Sequence, residues 1–179
     1  AKDGSLTAAG AAVTGSAAKG YVVTVENTRK TMSTSDVRIE KFDAYGSALA
    51  GAGFTVSGEG IDGEAVLTAR AHKDGEQTLW TQIVDTVKGL LGLDTGVKYV
   101  FDLSEAVDKL TYGVVYTVKE AAPAGYTGVD TFYLTLKDDN GVLKLVECDE
   151  DGKELTSGNK VVISVAGAAT LIRVQNNLE

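Results

Sequence analysis

Three residues with reactive side chains stand on strand faces that the alternation of the chain reserves for the core. In VRIEK the apolar face of Val37 and Ile39 continues to Lys41; in YTVKE the face of Tyr116 and Val118 continues to Glu120; in IRVQN the face of Ile172 and Val174 continues to Asn176. A side-chain period of two puts each trio on one side of its strand. An unpaired charge on a core face is costly, so an amine, a carboxyl and a carboxamide placed this way need partners. Two chemistries are open to them. One is a buried Lys41–Glu120 ion pair with Asn176 hydrogen-bonded alongside, although such pairs seldom stabilise a fold on balance. The other is nucleophilic: burial deprotonates the lysine, and the free amine attacks an amide carbon. Asn177 falls on the opposite face from Val174, which leaves Asn176 as the acceptor.

The elements carrying these residues have their own signature. The first is VRIEKFDAYGSALAGAGFTV (Val37 to Val56), a lysine strand followed by an Asp-containing turn and a small-residue Gly-Ala motif. The second is Glu120 followed by Ala122, Pro123, Gly125 and Tyr126; the third is the closing Val174-x-Asn176. In this order the three motifs resemble the CnaB-type pilin and adhesin domains of Gram-positive surface proteins, over roughly residues 37 to 177. Ala121 departs from the threonine that the family often carries there. The resemblance implies a spontaneous isopeptide bond between Lys41 and Asn176. Glu120 would act as the proton shuttle, its neutral form favoured by burial, polarising the amide and passing protons to the departing ammonia. Fixing amine beside amide supplies much of the barrier reduction. No cofactor is implied, and a single turnover is not enzyme activity.

Composition agrees with a stalk module. The chain has 179 residues, with 21 glycines, one proline and a net charge of −8. Many Val and Thr with few aromatics suit short strands joined by turns. No basic stripe exists to meet phosphates, which excludes a nucleic-acid partner. No run of 18 apolar residues is present to span a membrane. Neither a signal peptide nor a sorting signal occurs, so the chain is expected to be a piece of a larger protein, with Leu178–Glu179 a scar of cloning. One cysteine, Cys148, permits no intrachain disulfide, and its acidic neighbours Glu147, Asp149 and Glu150 make it an inert strand-end thiol. The single histidine, His72, sits in the turn-like ARAHKDGE and leaves a zinc site or a Ser/His/Asp triad little to build from. The acidic run Cys148 to Glu154 lacks the calcium-loop spacing and reads as a solvated hairpin.

Turn signals at Tyr45-Gly46, Lys73-Asp74-Gly75, Asp139-Asn140-Gly141 and Asp151-Gly152 divide the body into strands near 37–43, 52–57, 64–71, 97–103, 113–120, 130–137, 141–147, 160–165 and 169–176. The expected fold is an all-β, Greek-key, prealbumin-like and Ig-like β-sandwich. One amphipathic helix is inserted at about 77–92, where Leu79, Trp80, Ile83, Val84, Val87, Leu90 and Leu91 follow helical spacing up to Gly92. Its expected role is to cap the sandwich through Trp80; the alternative is a contact surface for the next subunit or a host ligand. YVVTVENT (Tyr21 to Thr28) echoes LIRVQNN (Leu171 to Asn177), each after an Ala/Gly-rich stretch. Residues 1–35 therefore read as the closing strands of a preceding similar module plus the linker TRKTMSTS, with Asn27 as that module's counterpart of Asn176. Residues 36–177 form the CnaB-type domain.

The implied function is a structural module of a cell-wall-anchored, extracellular Gram-positive pilin or adhesin. Its partners are neighbouring modules or pilin subunits. The alternative is an adhesin module recognising a host matrix protein or glycan. A hydrolase based on Glu120 is disfavoured because no second catalytic group accompanies it.

Overall fold

The computed structural model describes residues 11–16, 18–25, 28–73, 97–166 and 169–179. The helix expected at about 77–92 lies outside the described residues. The chain divides into two compact units, Ala1–Lys30 and Thr31–Glu179.

The first unit contains strands β1 (Ala11–Ser16) and β2 (Gly20–Val25), paired antiparallel with Val13 opposite Val23. Val22 and Val23 point to opposite faces of the hairpin, and both are exposed.

In the second unit, β3 (Thr31–Ser33) pairs with β9 (Lys109–Thr111), so the expected linker at 28–35 is in part a strand. Three residues are too few for a period to declare itself. Buried Thr34 continues the attachment, its hydroxyl donating to the carbonyl of Val107.

Two larger sheets build the body. One takes the order β13 (Val142–Cys148), β12 (Thr131–Asp139), β10 (Tyr116–Ala121), β5 (Gly53–Ser57), β6 (Ala65–Leu67). The other runs β11 (Tyr126–Thr127), β15 (Ala169–Leu178), β4 (Val37–Asp43), β8 (Val97–Asp102), β7 (Arg70–Lys73), with β14 (Val162–Ala166) also on β15. Their inner faces share one core: Phe54, Val56, Tyr116, Val118, Phe132 and Leu134 from the first sheet meet Ile39, Phe101, Ile172 and Val174 from the second. The rings of Phe54 and Phe101 meet edge to face across it, 4.8 Å between centroids. The contact joins β5 to β8 and makes the arrangement a sandwich of two sheets.

The strand expected at 64–71 is two strands, β6 in one sheet and β7 in the other. The corner between them is clamped by Glu105, which accepts from the amide of Thr68 (2.7 Å) and from Arg70 Nη2 (2.8 Å). The Thr68 amide, with Arg70 assisting, holds this carboxyl below the usual carboxylate range. His72 lies on β7 opposite Lys98, not in a turn. Between β12 and β13, Asn140 (φ 53°) and Gly141 (φ 91°) take the left-handed conformations that a two-residue hairpin turn requires. The pairing of β15 with β4 is parallel, with Val174 opposite Lys41 and Asn176 opposite Asp43. Almost the whole of the second unit separates these two neighbours in sequence.

Candidate functional site

The parallel ladder brings Lys41 and Asn176 to the same inner face two residues apart, and both are fully buried. On the outer face of the same strands Arg173 Nε sits 3.2 Å from Glu40 Oε2, and its guanidinium lies over the Phe42 ring at 4.4 Å. These contacts lock the register on which the inner pair depends. Glu120 comes from the opposite sheet. It stands on β10 next to Phe54 of β5, and its carboxyl is wholly withdrawn from solvent.

The Pro123–Gly125 turn explains how a residue of one sheet reaches the end of the other. Tyr126 N donates to the carbonyl of Pro123 (3.2 Å), and Gly125 adopts φ 81°, a value that glycine takes without strain. The chain then crosses over, and β11 pairs with the tail of β15, Tyr126 opposite Leu178 and Thr127 opposite Asn177. Leu178 is thus part of the last strand, and Glu179 N donates to the carbonyl of Gly125 (3.2 Å). Asn177 is exposed, whereas Asn176 faces inward.

The three side chains meet. Lys41 Nζ lies 3.2 Å from Glu120 Oε1 and donates to the carbonyl of Val174 at 3.1 Å. Asn176 Nδ2 donates to the same Glu120 Oε1 at 2.9 Å. The other carboxyl oxygen, Oε2, accepts from the amide of Val129 at 2.9 Å. Burial pulls the Lys41 amine below its ordinary value of 10.5, against the opposing pull of the Glu120 charge. Moving one proton across the 3.2 Å contact converts an ammonium–carboxylate pair into an amine and a carboxylic acid. Asn176 Oδ1 is buried without a hydrogen-bond partner, the only such side-chain atom found among the described residues. An orphaned acceptor costs about 1–3 kcal/mol. Turning the carboxamide over places this oxygen against Glu120 Oε1, a contact that needs a proton on Oε1.

Several residues of the site escaped the sequence reading. Val129 supplies the amide that holds Glu120 Oε2, and Asp130, at φ 56°, accepts from the Glu120 amide at 2.6 Å. Gly128 lies under the carboxyl: a Cβ there would sit 2.9 Å from Oε2. They occupy a loop without periodicity, and only the glycine offered a signal.

Elsewhere, Cys148 is buried at the end of β13, its thiol pushed up to about 11 by burial and then by Asp149 and Glu147. In the acidic run the Asp149 carboxylate accepts from the amides of Asp151 (3.1 Å) and Lys153 (2.8 Å), closing its own turn. Among the described residues no helix is long and apolar enough to cross a membrane.

No protein-family model and no curated protein matches the chain. Among solved structures it is similar to the pilus adhesin SpaC from Lactobacillus rhamnosus GG in its open conformation, with 19% identity and a TM-score of 0.48. It is also similar to a C-terminal fragment of that adhesin, with 18% identity and a TM-score of 0.47. Each match covers 94% of this chain, which spans 17% of the adhesin and 53% of the fragment.

Proposed function

We propose that the chain is a structural module of a Gram-positive surface pilin or adhesin, stapled by a self-catalysed isopeptide bond between Lys41 and Asn176. The observation that carries this reading is the meeting of three fully buried groups, amine, carboxyl and carboxamide, on three strands of two sheets. A proton passes from Lys41 to Glu120, and the neutral Nζ attacks Cγ of Asn176. The protonated Glu120 meanwhile hydrogen-bonds the turned amide oxygen. The Cγ–Nδ2 bond breaks, protons relayed by Glu120 leave with the nitrogen as ammonia, and the lysine is left as a secondary amide. The chain needs no oxidant or co-reactant for this step. Lys41 stands on the strand beside the last one, so tension applied through residues 41 and 176 would run along the bond and spare the strands between them.

Within the stretch 1–35, residues 1–30 fit the closing strands of a preceding module plus its connection, while β3 and Thr34 belong to the second unit. The observation favouring this is the hairpin β1–β2, whose two faces both leave a valine exposed, while Ile172 and Val174 of the echoing strand β15 are fully buried. An isolated two-stranded hairpin is marginal in water. Adjacent modules of the same surface protein are then the natural partners, at an extracellular, cell-wall-anchored location.

The test is the intact mass of denatured protein, expected one ammonia below the sequence mass, with tryptic peptides of Lys41 and Asn176 joined. An unmodified mass would reduce the triad to a buried ion pair with a hydrogen-bonded amide.

A further inference from the structure

We infer that Gly128 is a positioning residue for the cross-linking reaction, holding the Glu120 carboxyl so that Oε1 faces both reacting groups. The inference rests on the proposed bond between Lys41 and Asn176. Glu120 Oε1 serves Lys41 Nζ at 3.2 Å and Asn176 Nδ2 at 2.9 Å, while Oε2 is turned away to the Val129 amide at 2.9 Å. Both reacting groups reach the carboxyl through the same oxygen, and the Val129 contact fixes which oxygen that is. The carboxyl can lie against this loop only because residue 128 has no side chain. A Cβ there would stand 2.9 Å from Glu120 Oε2, 3.3 Å from its Cδ and 2.9 Å from the Cβ of Ala122. Real Cβ atoms essentially never approach so closely, so the carboxyl would have to swing or the loop retreat.

The glycine is not demanded by the backbone. Gly128 is absent from the residues with positive φ, unlike Gly125 and Gly141, so alanine meets no conformational strain there. Its substitution therefore acts through space at the carboxyl. The loop is anchored independently on its far side, where the carbonyl of Asp130 accepts from the Glu120 amide at 2.6 Å, so the fold has a hold on this segment besides the carboxyl contact.

The experiment follows bond formation by intact mass after refolding of the denatured, unreacted chain, for wild type, Gly128→Ala and Gly128→Ala/Ala122→Gly. Displacing a reacting group by about 1 Å costs on the order of 100-fold in rate. Gly128→Ala is thus expected to fold and to cross-link about 10- to 100-fold more slowly. Ala122→Gly removes the second close contact, gives the loop room, and should restore part of the rate; it also keeps the test alive if the single variant does not fold. In an Asn176→Ala background, which cannot form the bond, Gly128→Ala should still fold cooperatively and melt no more than about 2–12 °C lower, the cost of ordinary overpacking, so slower cross-linking is not explained by lost folding. Wild type that cross-links while both Gly128 variants react at the wild-type rate overturns the positioning role alone. Wild type that never loses ammonia overturns the underlying bond as well.

Discussion

Asn176→Ala separates the covalent reading from the ion-pair reading by magnitude. The change leaves the Lys41–Glu120 contact in place and removes only the acceptor. If the wild-type chain carries the bond, the loop between Lys41 and Asn176 contains about 136 residues, and the loss of its closure costs about 5 kcal/mol in the loop-entropy argument. The hydrogen bond from Asn176 Nδ2 to Glu120 Oε1 belongs to the unreacted chain and adds nothing here, because Nδ2 leaves as ammonia. For a domain of this size each kcal/mol moves the melting temperature by roughly 2–4 °C, so the variant should melt about 10–20 °C below wild type. If the triad is only a buried polar cluster, the same variant loses that hydrogen bond but also sheds the unpartnered Oδ1, and it melts within about 4 °C of wild type. Thermal unfolding by circular dichroism, with intact mass taken on the same samples, reads both quantities. A wild-type protein of unmodified mass whose melting point stands within a few degrees of the variant's would refute the covalent loop.

Glu120→Ala should yield a folded chain of unreduced mass with a lower melting temperature, since the proton relay is gone while the strands remain; a cross-linked Glu120→Ala protein would remove Glu120 from the mechanism. Because burial holds Lys41 below 10.5 in the folded state, the unfolded chain binds more protons at this site between the lowered value and 10.5. The stability of unreacted Asn176→Ala, relative to Lys41→Met/Asn176→Ala, should therefore rise with pH across that window. Urea titrations from about pH 7 to 10 in which this difference falls would contradict the direction. Deleting residues 1–30 should leave the melting temperature of the remainder nearly unchanged, whereas extending the deletion to Ser33 removes β3 from β9 and should lower it; a large loss from the shorter deletion would show that the first unit supports the second. Cys148 should resist alkylation at neutral pH until the protein is unfolded, because its thiol is both buried and raised to about 11; rapid labelling of native protein would count against that environment.

Alternation alone placed Lys41, Glu120 and Asn176 on inner faces, because a strand's period of two commits every second side chain to one side whatever the strand's neighbours are. It also distinguished Asn176 from Asn177, and the Asn140–Gly141 turn announced the β12–β13 hairpin. What alternation cannot carry is which strands are neighbours. The parallel ladder between β4 and β15, and the crossing of Pro123–Tyr126 from one sheet to the tail of the other, join segments far apart in the chain. Only packing of the shared core selects them. The short strands β3, β9 and β11 fell below the length at which a period can be read, and the corner at Thr68 depends on a carboxylate, Glu105, that lies 37 residues away. Gly128 marks the limit most clearly. Its value lies in the space that a missing Cβ leaves beneath Glu120, and space of that kind exists only once the loop has folded back over the carboxyl.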